Sequence, residues 1–400
     1  MTEFVLAGGH VVDQLQGLNR PMDVVVRDGR IAAVVEPGTA IAPGTRREDA
    51  SGAIVTPGLV DLHGHWYEGS AWGIDPLINL RGGVTTPCDA GSSGYVTFPL
   101  FRKIIDAGPT RVLVFLHIGS LGAISMNAGE LEDFRYVRVA DTVETINRNR
   151  DVIVGIKVRL GTAPCGPNTM AALDAALEAA TATDLPVIVH VSAGADLRQI
   201  LPRLRPGDIV THTFIADDGG LIFGGGDTLL PEVRDAQAQG VVFDVGHGCG
   251  SFSWSMFHRA TDQGFRLDTI STDLHRLCVE GPVFDMLTTM SKFLHGGMAM
   301  PDIVAASTST PARAIRRADT IGSLAVGRRA DIAVFRIEDG SYDYIDAFGH
   351  TERATRRFAP VLTVNGGDVI RPDDVAITLR PYTGADREVE CGAPLMSAAG

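Results

Sequence analysis

Two histidines, His63 and His65, stand two residues apart at the end of the apolar run LVDLHGH. Residues i and i+2 of a β-strand project from one face of the strand, so these two imidazoles could grip one metal ion. The pair alone is a weak signal, because an H-x-H arises easily in 400 residues and ordinary hydrogen bonds can satisfy it. A metal site needs further histidine, carboxylate or thiolate ligands.

Further polar residues interrupt apolar runs that are typical of buried strands. His190 lies in PVIVHVS, His212 in DIVTHTF and Asp273 in TISTDL. A polar side chain within such a run costs free energy unless it is paired or bound to a ligand. These three residues are therefore candidate metal ligands as well.

Lys157 lies in the apolar run VIVGIKVRL, where a free ammonium would be costly to bury. Of the 35 lysines and arginines, the lysines are Lys103, Lys157 and Lys292, and we expect Lys103 and Lys292 on helices at the surface. An ion pair with Asp273 would be served equally well by arginine. A buried lysine, unlike arginine, can lose its proton and could then add carbon dioxide to become an anionic carbamate.

Eight apolar, β-branched runs between residues 59 and 274 alternate with helix-like stretches. The runs begin at Leu59, Val84, Arg111, Val152, Pro186, Asp208, Val241 and Thr269, and helical periodicity is clearest after Thr169 and Leu229. This alternation predicts an α/β fold, a (β/α)8 TIM barrel, with its chemistry at the carboxyl ends of the strands. The alternative is an open doubly wound sheet, but no G-x-G-x-x-G follows the first run.

Short β-like segments with glycine turns stand before and after the barrel, and each group is too small for an independent domain. We expect both termini to form one small β-sandwich. The predicted organisation is 1–56 for its N-terminal part, 57–320 for the barrel, 321–380 for its C-terminal part and 381–400 for a tail.

The net charge of −13 argues against nucleic-acid and anionic membrane partners. The N-terminus lacks a signal-peptide pattern and no apolar run approaches the roughly 18 residues of a membrane span, so we expect a cytoplasmic protein. The five cysteines show no C-x-x-C spacing, which argues against a zinc ribbon. The partner we expect is a small-molecule substrate, and homo-oligomerisation stays open.

The segment PGLVDLHGH, followed by single strand-end Lys, His, His and Asp residues in that order, resembles the amidohydrolase superfamily in its binuclear form with a carboxylated lysine. The resemblance covers essentially the whole chain, including GSLAVGRRADIAVF. It implies two divalent metal ions, with zinc the expected metal. The implied ligands are His63, His65 and Asp273 for one ion, His190 and His212 for the second, and Lys157, carboxylated by CO2, as a bridge.

The resemblance also implies a mechanism: a metal-bridging hydroxide attacks an amide or ester carbonyl, and Asp273 acts first as general base and then as general acid. The stretches GIKVRL, CDAGSSG and DVGHGCGSFSW resemble a branch described as deacetylases. That likeness implies a small acylated, typically acetylated, amino or hydroxy acid as the substrate.

Two alternatives stay open. A cyclic amidase of the dihydroorotase or hydantoinase type has the same metal set, but dihydroorotases carry H-x-H-x-R, and Tyr67 stands at the arginine position here. A non-catalytic assembly protein with the amidohydrolase fold is the alternative from another class, although all six ligand positions are filled.

Arg159 and His275 are candidate substrate contacts. Arg159 stands two residues after Lys157 in the same run, so both side chains should point into the barrel. Arg159 could pair with a substrate carboxylate or form a salt bridge at the barrel mouth. His275 could bond the substrate or cap its loop. His117 and His247 are expected to orient neighbouring groups rather than touch the substrate, and the role of Cys249 stays open.

Overall fold

The computed structural model describes residues 3–40, 42–70, 72–124, 129–216, 219–377 and 379. The predicted tail at 381–400 lies outside the described residues. The strands are β1 (Glu3–Asp13), β2 (Leu18–Arg27), β3 (Arg30–Val35), β4 (Arg46–Asp49), β5 (Ile54–Pro57), β6 (Leu59–Gly64), β7 (Val84–Gly94), β8 (Leu113–His117), β9 (Ile153–Leu160), β10 (Val187–Val191), β11 (Ile209–Thr211), β12 (Val242–Phe243), β13 (Asp331–Ile345), β14 (Thr351–Asn365) and β15 (Asp368–Ile370).

The helices are α1 (Phe98–Ala107), α2 (Val139–Arg148), α3 (Thr162–Cys165), α4 (Thr169–Thr183), α5 (Leu197–Ile200), α6 (Pro231–Ala238), α7 (Trp254–Asp262), α8 (Met286–His295), α9 (Met300–Ala306) and α10 (Ser309–Ala314). Helices α4 and α6 confirm the two clearest periodic stretches of the sequence. No helix in the described part of the chain is long and apolar enough to cross a membrane.

Strands β6 to β12 form one parallel sheet in which each strand bonds to the next in chain order. β8 is buried along its whole length and β10 at every position but one, because helices cover the outside of the sheet while the inside forms the core. Near its two edges, single parallel bridges join Asp244 to Thr269 and Gly64 to Leu274. The result is a TIM-barrel-like α/β fold.

The eighth strand, predicted from Thr269, is not a regular strand but a stretch with isolated bridges. Its ladder is interrupted because the Thr272 amide donates to the side-chain carboxylate of Asp61 in β6, at 2.9 Å, instead of to a backbone carbonyl oxygen of that strand. Asp273 then takes a left-handed backbone conformation, with φ of 48°. The stretch nonetheless connects the two ends of the parallel sheet.

The two chain ends share a second sheet, in the order β15-β14-β13-β5-β1-β2-β3, with β4 beside β1. β5 and β13 pair antiparallel and join the N-terminal strands to the C-terminal ones, with Val55 opposite Val334. Residues such as Leu6, Val24 and Val364 fill a core that belongs to this sheet. Both termini therefore build one β-rich unit, as expected, and its strands are connected by hydrogen bonds into one sheet.

Candidate active site

The six residues predicted as metal ligands converge at the carboxyl edge of the parallel sheet. His63 is the penultimate residue of β6, and His65 directly follows the end of that strand. Lys157 lies within β9 and His190 within β10. His212 directly follows β11, and Asp273 lies in the 269–274 stretch. Parallel strands bring their carboxyl ends to one edge, which explains how residues far apart in sequence meet.

The distances within this cluster are short. Ligand atoms of His63, His212 and Asp273 all lie within 4.8 Å of one another. Oδ1 of Asp273 is 3.4 Å from Nε2 of His63 and 3.2 Å from Nε2 of His65. The structure thus places four of the predicted residues around one point.

Lys157 and His190 complete the cluster. The Lys157 ammonium nitrogen lies 3.3 Å from Nε2 of His63 and is buried. The ring of His190 lies against that of His212, with centroids 4.2 Å apart. No sequence-predicted ligand lies away from the site.

The outer nitrogen of three imidazoles is held by the protein. Nδ1 of His63 lies 2.9 Å from the Thr211 hydroxyl, and Nδ1 of His65 lies 2.8 Å from the Ser92 hydroxyl. Nδ1 of His212 lies 2.8 Å from the carbonyl oxygen of Gly246. A carbonyl can only accept, so Nδ1 of His212 carries the hydrogen and its Nε2 presents a lone pair.

The Nε2 atom of His212 is buried and has no hydrogen bond within the described residues. An unsatisfied buried nitrogen is costly unless a further ligand completes it. Burial lowers the pKa of His212 to about 4, and it also holds the pKa values of His63 and His190 well below their ordinary range. These imidazoles are therefore neutral at pH 7 and able to bind a cation.

Burial also lowers the pKa of Lys157 to about 7, because little water reaches the amine. A substantial fraction of this lysine is thus an uncharged amine near neutral pH. The donor set of neutral imidazoles, a carboxylate and a deprotonatable amine suits a divalent cation such as zinc. The site is a possible His/Asp metal site.

Two of these residues have an unusual backbone. His212 and Asp273 have φ values of 66° and 48°, in the left-handed region that non-glycine residues rarely adopt. Such a conformation costs on the order of 1 kcal/mol and persists where surrounding contacts enforce it. Here it accompanies two side chains that point into the same cluster.

Buried carboxylates beneath the cluster were not identified from the sequence. Asp244 accepts hydrogen bonds from the hydroxyls of Thr211, Thr269 and Ser271, at 2.6 to 2.8 Å. Through Thr211 it is linked to His63. A signal existed, since Asp244 stands within the apolar run VVFDVGH, just as Asp61 stands within LVDLHGH.

Arg159 forms an ion pair with Glu130, a residue that the sequence analysis did not identify. Glu130 is fully enclosed, and its Oε2 also lies 2.9 Å from Nε2 of His117. Because the Gly119 amide donates to Nδ1 of His117, the hydrogen of the neutral ring is on Nε2, the atom that faces Glu130. Arg159 therefore forms the barrel-mouth salt bridge that the sequence offered as one of two alternatives, and His117 contacts the same carboxylate.

His275 lies beside the cluster, with its ring centroid 6.0 Å from that of His65. Its Nδ1 accepts a hydrogen bond of 3.2 Å from the amide of Leu277. This contact is the loop-capping arrangement that the sequence offered as one of two alternatives.

The expectation that Lys292 lies at the surface is wrong. Its side chain is 1% exposed, and its ammonium contacts His247 and two carbonyl oxygens. Helix α8 is covered by β14 on the side that periodicity alone would assign to solvent, because Phe358 of β14 bonds to Ser291 of the helix. Burial lowers the pKa of Lys292 to about 7, while three acceptors surround its protons.

The chain is similar to known proteins in sequence and in fold. Residues 253–369 match the amidohydrolase family model. The chain is 38% identical over 350 residues to a deacetylase of Agrobacterium fabrum, across 86% of this chain and 85% of that relative. A crystal structure of a dihydroorotase superposes with a TM-score of 0.85 at 33% identity, covering 93% of this chain and 99% of the other. A crystal structure of an adenine deaminase gives a TM-score of 0.86 at 28% identity, covering 92% and 99%.

Proposed function

This chain belongs to the amidohydrolase family of hydrolytic enzymes, and we propose that it removes the acyl group, typically acetyl, from a small acylated amino or hydroxy acid by metal-dependent hydrolysis. The observation that carries the proposal is the cluster of His63, His212 and Asp273 within 4.8 Å, with a buried Nε2 lone pair facing it. The deacetylase relative supports action on acyl groups.

Under this proposal, His63, His65 and Asp273 would hold one divalent cation, His190 and His212 would hold a second, and Lys157 would serve both. Bound divalent cations supply a water of lowered pKa and polarise the carbonyl that is attacked. Zinc is the metal we propose, since imidazole and oxygen ligands suit it.

Lys157 would take part as a carbamate. Its uncharged amine forms a bond from Nζ to the carbon of carbon dioxide, one proton leaves to solvent, and an anionic carboxylate results. The lowered pKa of Lys157 and its distance of 3.3 Å from His63 support this step. An arginine in the same place could not take it.

Asp273 would move the proton. Its carboxylate accepts a proton from the attacking water and returns it to the leaving nitrogen or oxygen, so the amine or alcohol departs neutral while the released carboxylic acid gives up its remaining proton to solvent. Oδ1 of Asp273 lies 3.2 Å from Nε2 of His65 and 3.4 Å from Nε2 of His63, which places it beside the proposed metal ligands.

Replacing Lys157 with alanine tests the ligand assignment. We expect loss of bound metal and of hydrolysis together, measured by elemental analysis and by turnover. Lys157→Arg should fail in the same way, whereas Lys103→Ala, an exposed lysine on α1, should keep both. Full metal content with turnover in Lys157→Ala would show that no carbamate is needed.

A hydrolysis screen tests the substrate class. The zinc-loaded enzyme would be offered acetyl esters and N-acetyl amides of amino and hydroxy acids in both configurations, beside hydantoin, dihydropyrimidine and dihydroorotate. We expect turnover of the open-chain acyl compounds. A clear preference for the cyclic substrates would replace the deacylase proposal with the cyclic amidase alternative. The similarity to a dihydroorotase structure is the reason to include those substrates.

A further inference from the structure

Lys292 is a buried cation that the proposed reaction does not use. Its ammonium nitrogen lies 2.6 Å from Nε2 of His247, 3.0 Å from the carbonyl oxygen of Pro282 and 2.6 Å from that of Ile345. These acceptors belong to the loop after β12, the loop before α8 and the end of β13. Three separate segments therefore meet at one ammonium.

The hydrogen-bond pattern fixes the state of His247. Its Nδ1 lies 2.9 Å from the carbonyl oxygen of Gly248, which can only accept, so the hydrogen of the ring is on Nδ1. Nε2 then has the lone pair that accepts from Lys292. All three ammonium protons find acceptors, and the ring is also stacked on Phe252 with centroids 4.7 Å apart.

The residues on each side of His247 contact the proposed active site. The carbonyl oxygen of Gly246 receives the hydrogen bond from Nδ1 of His212, at 2.8 Å. The amide of Gly248 donates to the carbonyl oxygen of Thr272, the residue before Asp273, at 2.9 Å. A Cβ at position 248 would come within 2.4 Å of Oδ2 of Asp273. The 246–248 segment thus braces both His212 and Asp273.

We propose that Lys292 is a positioning residue for the active site, acting through His247 to hold the 246–248 backbone against His212 and Asp273. The inference rests on the proposed function, because it takes those two residues as part of the reacting centre. The proposed role of Lys292 involves no contact between the lysine and the substrate.

A merely structural lysine would behave differently. It would tie α8 to the end of β13 through Ile345, and its loss would lower stability without a specific effect on turnover. A positioning role requires that the effect pass through His247 and reach kcat, because displacing reacting groups by about 1 Å can cost on the order of 100-fold in rate.

The test compares Lys292→Met, His247→Phe and the double variant with Lys103→Met as the exposed control. Methionine keeps the length of the lysine stem without its charge, and phenylalanine keeps the ring stacked on Phe252. Each protein is measured for kcat and KM on the best acyl substrate, and for amide hydrogen exchange by mass spectrometry in peptides covering 242–254.

We expect Lys292→Met to lower kcat by about 10- to 100-fold, with KM changed less than about threefold, and to speed exchange in 242–254. His247→Phe should give the same pattern, and the double variant should lose no more than either single change, because both act through one contact. Lys292→Arg, which keeps a cation, should recover part of kcat. Lys103→Met should match the parent.

The positioning role would be overturned if the fold-losses of kcat in the two single variants multiplied in the double variant. It would also be overturned if kcat and hydrogen exchange were unchanged in Lys292→Met. If Lys292→Met does not fold, His247→Phe still decides, since unchanged kcat and exchange there would have the same meaning. If the parent enzyme hydrolyses no acyl compound, the proposed function fails, whereas the exchange of 242–254 still reports whether Lys292 and His247 hold the segment.

Discussion

Glu130→Gln is the substitution whose consequence can be worked out most directly from the structure. The carboxylate is enclosed between Arg159, which donates a hydrogen bond to it, and His117, whose Nε2 lies 2.9 Å away. Glutamine keeps the size of the side chain but removes the charge. The amide oxygen of the glutamine can accept a hydrogen bond from one of the two partners. Its NH2 group, itself a donor, would then face the N–H of the other partner.

The size of the effect follows from the pKa of Glu130. Burial alone would raise this pKa, but Arg159 and His117 outweigh burial and lower it from 4.5 to about 2. A tenfold change in proton affinity is worth about 1.4 kcal/mol, so the ionised carboxylate contributes about 3 kcal/mol to the free energy of unfolding. The figure agrees with the roughly 3 to 5 kcal/mol lost when one partner of a buried ion pair is removed.

The sign of the pH dependence follows as well. A carboxyl group with a lowered pKa contributes fully above its unfolded value of 4.5, and the contribution is lost as the pH falls from 4.5 towards 2. Glu130→Gln should therefore be about 3 kcal/mol less stable than the parent at about pH 7. The difference should shrink by about 1 kcal/mol at about pH 4, because the parent has begun to lose the contribution.

Urea unfolding at both pH values, with metal removed from all proteins by a chelator, measures these differences. Glu132→Gln is the matched control, because Glu132 lies two residues away and is exposed. Equal stability of the two variants would refute the buried ion pair. A penalty that does not change with pH would show that the ionised state of Glu130 is not its source.

Two further substitutions test the supports of the site and of the core. Thr211→Val removes the hydroxyl between Asp244 and His63 and should weaken metal binding about 10- to 100-fold in a chelator competition. Thr213→Val, whose hydroxyl bonds the backbone of Asp244, should not, and equal affinities would count against Thr211 as an orienting group. Phe214→Ala, in the aromatic core, should cost about 3 to 5 kcal/mol by urea unfolding, and a loss no larger than that of exposed Phe348→Ala would contradict this packing.

The sequence predicted the positions of site residues where a local pattern of residues could be combined with the topology of a parallel sheet. Buried polar residues at the ends of apolar runs predicted the cluster, since parallel strands present their carboxyl ends together. The same argument could have been applied to Asp61 and Asp244, which also interrupt apolar runs. It failed at the stretch from Thr269, where contacts of the Thr272 amide replace the regular ladder.

Other features depend on tertiary contacts that no local pattern contains. Glu130 lies in a loop, and its meeting with Arg159 is decided by how that loop folds over the barrel mouth. Lys292 was assigned to the surface because helical periodicity cannot show that β14 covers the helix. In both cases a local sequence pattern does not show which other part of the chain packs against the loop or the helix.

The pairing of β5 with β13 has a consequence for how the protein is made. Val55 is synthesised before the barrel strands, yet its partner Val334 is synthesised after them. The edge of β5 and the apolar core of the terminal sheet must wait for that partner, while the barrel between them can form first. A chain stopped before residue 331 would keep an open strand edge, and such an edge invites pairing with other chains. Synthesis of β13, rather than growth of the barrel, is then the event that closes the sheet.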